Sequence, residues 1–430
     1  MTEVTRTELS PGVSLTAVHT QKFKSAVLSA SFLTPLERDK AALRALVPQV
    51  LCRGTAAHPD MNALSRALDE LYGGSIEPMV RKRGETQCVG FVGSFLDDAY
   101  TLHGEGILPQ AAGLLCDLLL RPCMVEGRFV PEYVSGEKNN LIDRIRSRIN
   151  DKRQYSILRL TQSMCADEPF GCDSLGEETT ASAIDGDALW SAYQELLSTA
   201  RVELYYCGSA DPKQVESIFR AALADLPVNG NRVDLSCQVK AAPEQETPRF
   251  VEEALDVTQG KLAMGFRTGG ICVGHEDYPA LMAFNAVYGG STMSKLIMNV
   301  REAKSLCYYA SSMLEKHKGI MLVSSGIEFE KTKEAREEIL RQLEACRRGE
   351  IEDWELVGSI RSVVTALQTI QDSQGRLEDF WLGQAVAGLT QGPEELMAQL
   401  EQVTAEQVAD IARRVTLDTV YFLKGQEETA

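Results

Sequence analysis

Three stretches from the first half of this chain return in the second half in the same order. SAVLSASF at 25–32 comes back as GKLAMGFR at 260–267. KAALRALVPQVLCRGT at 40–55 lies beside DYPALMAFNAVYGGST at 277–292 without a gap, and CVGFVGSFLDDA at 88–99 resembles IMLVSSGIEFEK at 320–331. Such a repeat constrains the architecture more than any local signal, because each copy must build a core from equivalent elements. Between the copies, PVNGNRVDLSCQVKAAPEQETP at 227–248 mixes proline, glycine, asparagine and charge without apolar period, which is the composition of a linker. The expected division is an N-terminal domain at 1–228, a linker at 229–249 and a C-terminal domain at 250–430, since 430 residues exceed what one compact core holds.

Composition narrows the function classes. Hydrophobic content of 44% and charged content of 24% are ordinary for a globular chain. Forty-four basic against 61 acidic residues leave a net charge of −17, which repels nucleic acid and anionic membrane, so neither is expected as a partner. No basic segment followed by an apolar core opens the sequence, and no apolar run approaches the ~18 residues of a spanning helix, so a cytoplasmic location is expected. Eleven cysteines without a CxxC pair read as small buried hydrophobes in a reducing compartment. No GxSxG elbow, no phosphate loop and no GxGxxG turn is present, and no cofactor is expected.

Local patterns fill each half with alternating strands and helices. Residues 13–19 and 25–33 read as strands joined by a polar turn at 21–24, followed by a helix from about 36 to 51 that Pro48 should kink or whose end it should shift. MNALSRALDELY at 61–72 is an amphipathic helix closed by Gly73 and Gly74, with strands expected at 75–80 and 86–95. Helices at 106–120 and from 126 to about 161, a break at 167–176, a helix at 185–197 and a strand at 201–207 complete the first half. The fold class is α+β, two homologous domains, each a mostly antiparallel sheet with helices on one face.

In the second half, VYGGSTMSKLIMNVREAKSLCYYASS at 287–312 forms a helix-to-strand corner. Gly289 and Gly290 interrupt one helix, and Met293, Leu296, Ile297 and Val300 share a face of the next, which ends near Lys304. A strand follows from 306 to 314, so Arg301 and Tyr308 meet at the corner, where a guanidinium and a phenol can together hydrogen-bond one carbonyl or oxyanion. The competing reading is a surface arginine and a half-buried strand tyrosine. The first-half equivalent of this corner is 72–76.

With the repeat, this corner and the PFG-LG segment formed by Pro169, Phe170, Gly171 and Gly176, the chain resembles the pitrilysin/insulinase family of inverzincin metallopeptidases over essentially its whole length. Residues 300–308 are similar to the family's V-R-E-x-x-G-L-x-Y, which implies that Arg301 and Tyr308 are its substrate-binding pair. The resemblance also implies a processing-peptidase-like clamshell that holds an extended peptide, in part through β-augmentation on an edge strand.

The family's zinc chemistry is not spelled out here. Its H-x-x-E-H precedes a K/R-G-T turn, and counting back from Arg53-Gly54-Thr55 those positions hold Ala45, Pro48 and Gln49. The third ligand follows a glutamate by seven residues; Glu137 is kept and the ligand position is Arg144. His19, His58, His103, His275 and His317 form no H-x-x-x-H pair. The expectation is therefore a catalytically silent, metal-free member that serves as the peptide-binding or regulatory subunit of a heteromeric zinc peptidase, its partner an intact sister chain. It resembles the bacterial forms associated with 5-aminopentanol modification of elongation factor P. Two readings compete: an active peptidase with relocated ligands, and a purely structural subunit without peptide binding.

Overall fold

The computed structural model describes residues 3–227 and 232–426. The first half supplies strands β1 (Glu3–Ser10), β2 (Val13–His19), β3 (Ser25–Pro35), β4 (Ser75–Arg83), β5 (Thr86–Leu96), the short β6 (Met124–Val125) and β7 (Arg128–Phe129), and β8 (Arg201–Gly208). Its helices are α1 (Ala41–Leu51), α2 (Met61–Glu70), α3 (Leu108–Leu120), α4 (Pro131–Ser147), α5 (Lys152–Met164), α6 (Glu178–Ser182), α7 (Gly186–Thr199) and α8 (Pro212–Ala222). The second half supplies β9 (Arg249–Leu255), β10 (Gly260–Arg267), β11 (Cys307–Glu315), β12 (Ile320–Ile327) and β13 (Thr416–Gly425). Its helices are α9 (Tyr278–Asn285), α10 (Thr332–Arg347), α11 (Asp353–Ile370), α12 (Gln374–Val386), α13 (Pro393–Leu400) and α14 (Ala405–Arg414). Two π-helical segments, Ala286–Gly290 and Leu296–Ala303, lie between α9 and β11.

The five strands of the second sheet repeat five of the six in the first, and the edge strand β1 has no counterpart. The first runs β1-β2-β8-β3-β5-β4 and the second, read from the matching side, β9-β13-β10-β12-β11. Each has one parallel pair, β2 with β8 and β9 with β13, and is otherwise antiparallel. The sequence repeats occupy equivalent places: β3 with β10, β5 with β12, and α1 with α9 and the π-helical turn after it.

Alternation along the strands gives each sheet two faces. Ala26, Leu28, Ala30 and Phe32 of β3 enter a core shared with α1, α3 and α7, and Leu262, Met264 and Phe266 of β10 enter one shared with α9, α10 and α14. The helix layer is thus on one face, as the α+β reading has it. A single further helix covers the opposite face, where Ser29 meets Glu378 of α12 and Ala263 packs with Ile157 and Leu160 of α5.

These two helices change the division of the chain. One compact unit gathers the described residues of Met1–Arg146, Cys172–Ser236 and Gln371–Thr390, the other those of Ser147–Gly171, Cys237–Ile370 and Gln391–Ala430. The continuous domains expected at 1–228 and 250–430 therefore differ from the observed units, because α5 belongs with the second sheet and α12 with the first. Residues 228–231, which include the expected boundary and the start of the linker, lie outside the described residues. From 232 to 248 the chain carries no helix or strand.

Three local expectations are corrected. Strands β2 and β3 are not neighbours, since β8 inserts between them and pairs with both. The helix expected from 126 to about 161 is two: α4 ends in a 3-10 turn at Arg148–Asn150, and Asp151 starts α5 by accepting the amides of Arg153 and Gln154. Finally, α1 starts at Ala41 instead of 36 and keeps its expected end at Leu51, with the buried Pro48 ring part of its packed face.

Pro78 sits within β4, the outermost strand of the first sheet. The two-residue turn at Gly84 and Glu85 makes Arg83 and Thr86 a hydrogen-bonded pair, so Pro78, opposite Phe91, falls at a non-hydrogen-bonded position. Its missing N–H faces the open edge and the ladder to β5 loses nothing. Among the described residues no helix is long and apolar enough to cross a membrane.

Candidate functional site

The corner at 287–312 is held by side chains that the apolar pattern does not reveal. Leu296 and Val300 are buried in the second core, but Met293 is 45% exposed, because 291–294 is not helical and the π-helical winding after it shifts the phase of the apolar face. Lys295 is buried and donates to both carboxylate oxygens of Glu355 on α11 at 2.8 Å. Asn299 donates to Gln342 at 2.9 Å and Lys304 to Glu338 at 2.5 Å, both on α10. Three polar struts therefore tie the segment carrying Arg301 to the helices behind it.

The segment ends in a tight reversal. The amides of Ser305 and Leu306 fold back onto the carbonyls of Arg301 and Val300 at 3.0 Å, and Ser305 adopts a left-handed φ of 49°. Strand β11 then starts with a register slip against β12 between Cys307 and Tyr309, which leaves Tyr308 as the extra residue of a bulge and 61% exposed. Arg301 and Tyr308 thus stand exposed on either side of Ser305, and Arg301 pairs with its neighbour Glu302 at 3.6 Å. Lys331, not singled out from sequence, belongs here too: its Nζ lies 3.4 Å from the Ser305 carbonyl, and the charge of its ammonium is raised in pKa by a hydrogen bond to Glu328, with Tyr308 also near. Its signal was hidden among the alternating charges that open α10. Burial pushes the Cys307 thiol up, so it is no activated nucleophile.

In the first unit, the positions expected to be degenerate are placed as packing and surface residues. Ala45 and Pro48 are buried in α1, Gln49 is half-buried and Arg144 is exposed on α4. Glu137 is buried; one carboxylate oxygen accepts from Arg53 at 3.1 Å and the other from Asn140 at 3.1 Å. The Arg53 guanidinium also lies 5.2 Å over the Tyr133 ring. Burial, with Glu137 nearby, pushes the Cys52 thiol up to about 11. A methyl, a pyrrolidine ring, a neutral amide and a guanidinium do not suit zinc, and the retained carboxylate already neutralises an arginine. These residues do not fit the metal, and among the described residues no group of three or more His, Cys, Asp or Glu side chains is placed to hold one.

The PFG-LG segment serves the backbone. Pro169–Gly171 is a 3-10 turn with Phe170 buried, and a Cβ on Gly171 would lie 2.1 Å from the Cys165 carbonyl oxygen. Gly176, at φ 75°, lies where a Cβ would meet Ala42 of α1 at 2.6 Å.

Comparison with known proteins agrees with this architecture. Residues 183–363 match the family model described as the peptidase M16 inactive domain. Over 419 residues, 97% of this chain and 96% of the relative, the sequence is 36% identical to the probable inactive metalloprotease YmfF of Bacillus subtilis. The crystal structure of a conserved protein from Enterococcus faecalis superposes with a TM-score of 0.89 at 27% identity, covering 99% of this chain and 100% of that one. A peptidase M16 inactive domain from Pseudomonas fluorescens shares the fold, with a TM-score of 0.79 at 15% identity over 99% of each chain.

Proposed function

Since this chain belongs to the peptidase M16 family, we propose that it is a non-catalytic member that holds an extended peptide for an intact zinc-peptidase sister subunit. The observation that carries the reading is the contrast between the two sites. Where the family's zinc chemistry is expected, Ala45, Pro48, Gln49 and Arg144 supply neither ligands nor a general base, and Glu137 is bound by Arg53 and Asn140. At the other corner, Arg301 and Tyr308 remain exposed on a segment anchored by three polar struts. A guanidinium and a phenol carried by one anchored reversal suit a peptide carbonyl, which can accept from both.

The test has two arms. Metal analysis of the pure chain should find no stoichiometric zinc and peptide assays no cleavage; one zinc per chain with chelator-sensitive activity would establish the relocated-ligand alternative instead. The chain would then be captured from its native cells with its sister subunit, and Arg301→Ala and Tyr308→Phe compared with wild type. Each should weaken peptide binding by about 1–3 kcal/mol with an unchanged melt. Full binding and cleavage in both variants would leave a purely structural subunit.

A further inference from the structure

Each compact unit contains one helix from the other half of the sequence, and both helices dock through groups that are buried once docked. On the first sheet, Gln374 of α12 donates to the carbonyls of Ser25 and Cys207 at 2.8 and 2.9 Å and accepts from the Ser25 hydroxyl at 2.7 Å. One turn on, Glu378 is fully buried and accepts from Ser29 at 3.0 Å and Arg81 at 2.6 Å, while Asp379 pairs with Arg83. Leu382 then packs with Leu33, Met79 and Cys88, so α12 spans β8, β3 and β4.

On the second sheet the same role falls to α5. Ile157, Leu160 and Met164 pack against Ala263, Ile320, Leu322, Tyr421 and Leu423. Tyr155 and Arg159 donate to Glu253 of β9 at 2.7 and 3.0 Å, and Arg153 reaches Ser311 of β11 at 3.0 Å, so the helix crosses from one edge strand to the other. Beyond it, Glu168 accepts from Arg267 at 2.7 Å and pairs with Lys318 at 2.6 Å.

We infer that the two halves of the sequence are obligate folding partners, each completing the other's sheet with one helix, so that they cannot come apart without unfolding. A domain ordinarily carries its own core and folds alone. Here the half that holds β1 to β8 lacks the acceptors for Arg81 and Ser29 and the cover for one sheet face, and the half that holds β9 to β13 lacks the apolar cover over Ala263, Tyr421 and Leu423. Buried polar groups stripped of partners and bare apolar faces both oppose the folded state. The exchange is symmetric in topology and unlike in chemistry, polar on the first sheet and largely apolar on the second, so each helix fits only its own seat.

The test uses the full chain with residues 228–231 replaced by a site-specific protease site and cut after folding. The cut protein should elute as one particle on extensive dilution, its halves separating only at the urea concentration where amide protection of both sheets is lost. Hydrogen exchange in the uncut chain then identifies the exchanged helices as the cause. Glu378→Ala with Gln374→Ala should raise exchange in β3 and β8 by about a hundredfold or more and leave β10 and β13 unchanged, and Leu160→Ala should do the reverse. Should the first pair prevent folding, Glu378→Gln gives the same readout. Separation on dilution with both sheets still protected, or each variant loosening the sheet of its own half, would overturn the inference.

Discussion

Replacing Ser305 by glycine should stabilise the second unit, although it deletes a side chain. Ser305 holds a φ of 49° at the reversal between the π-helical segment and β11, a region where an L-residue costs roughly 1–2 kcal/mol relative to the right-handed one. Its side chain is exposed, and the contacts that fix the reversal, its own amide to Arg301 and the Leu306 amide to Val300, are backbone and survive the change. Glycine returns about 0.4–1 kcal/mol of this through the greater freedom of the unfolded chain. The net gain is therefore about 0.5–1 kcal/mol, or roughly 1–4 °C in the melting of a unit of this size. Urea titration followed by the fluorescence of Trp354, in a background where Trp190 and Trp381 are phenylalanine, reports on this unit alone. The order of midpoints should be Gly above Asn above Ser, with Ala no better than Ser. A glycine variant no more stable than the alanine variant would refute the argument, since the gain must come from backbone conformation and not from loss of the hydroxyl.

Burial raises the pKa of Glu168, but hydrogen bonds from Arg267 and Lys318 outweigh it and hold the carboxyl at about 2. A folded value below the unfolded one gives stability that is present above pH ~4.5 and lost as the pH falls toward 2, so melting of the second unit should decline across that window and the decline should flatten in Glu168→Gln. Glu378→Ala removes the buried acceptor of Arg81 and Ser29 and should cost about 3–5 kcal/mol in the first unit by denaturant unfolding. Ala45→His, Pro48→Glu, Gln49→His and Arg144→Glu together should create weak zinc binding by calorimetry, tighter when Arg53→Ala frees Glu137; no affinity in a folded variant would mean that the alignment of these positions is wrong.

What the sequence disclosed depended on how local the determining contacts are. Strands β3, β5, β10 and β12 announce themselves because central strands are buried on both faces and read as continuous apolar runs, which is also why their repetition is visible. Strand β1, EVTRTELS, has no such run, since it is an edge strand largely open to solvent, and it escaped notice. The reversal after Arg301 was legible from spacing, but its anchors at Glu355, Gln342 and Glu338 lie dozens of residues away, and nothing in the local pattern of α10 or α11 marks them. The seats of α5 and α12 were illegible for the same reason: Glu378 looks like any helical surface carboxylate until Arg81 and Ser29, some 300 residues earlier, are seen beneath it.

Pro78 bears on how a peptide can be held. A strand laid along β4 would find carbonyl acceptors at Ile76, Pro78 and Val80 but donors only at the first and last, and at the middle step its own carbonyl would face a pyrrolidine ring. The ladder would be broken at its centre, where cooperative pairing counts most. The first sheet thus ends in a strand that resists both a guest peptide and a neighbouring copy of itself, and any main-chain grip on an extended peptide must be sought along a different edge.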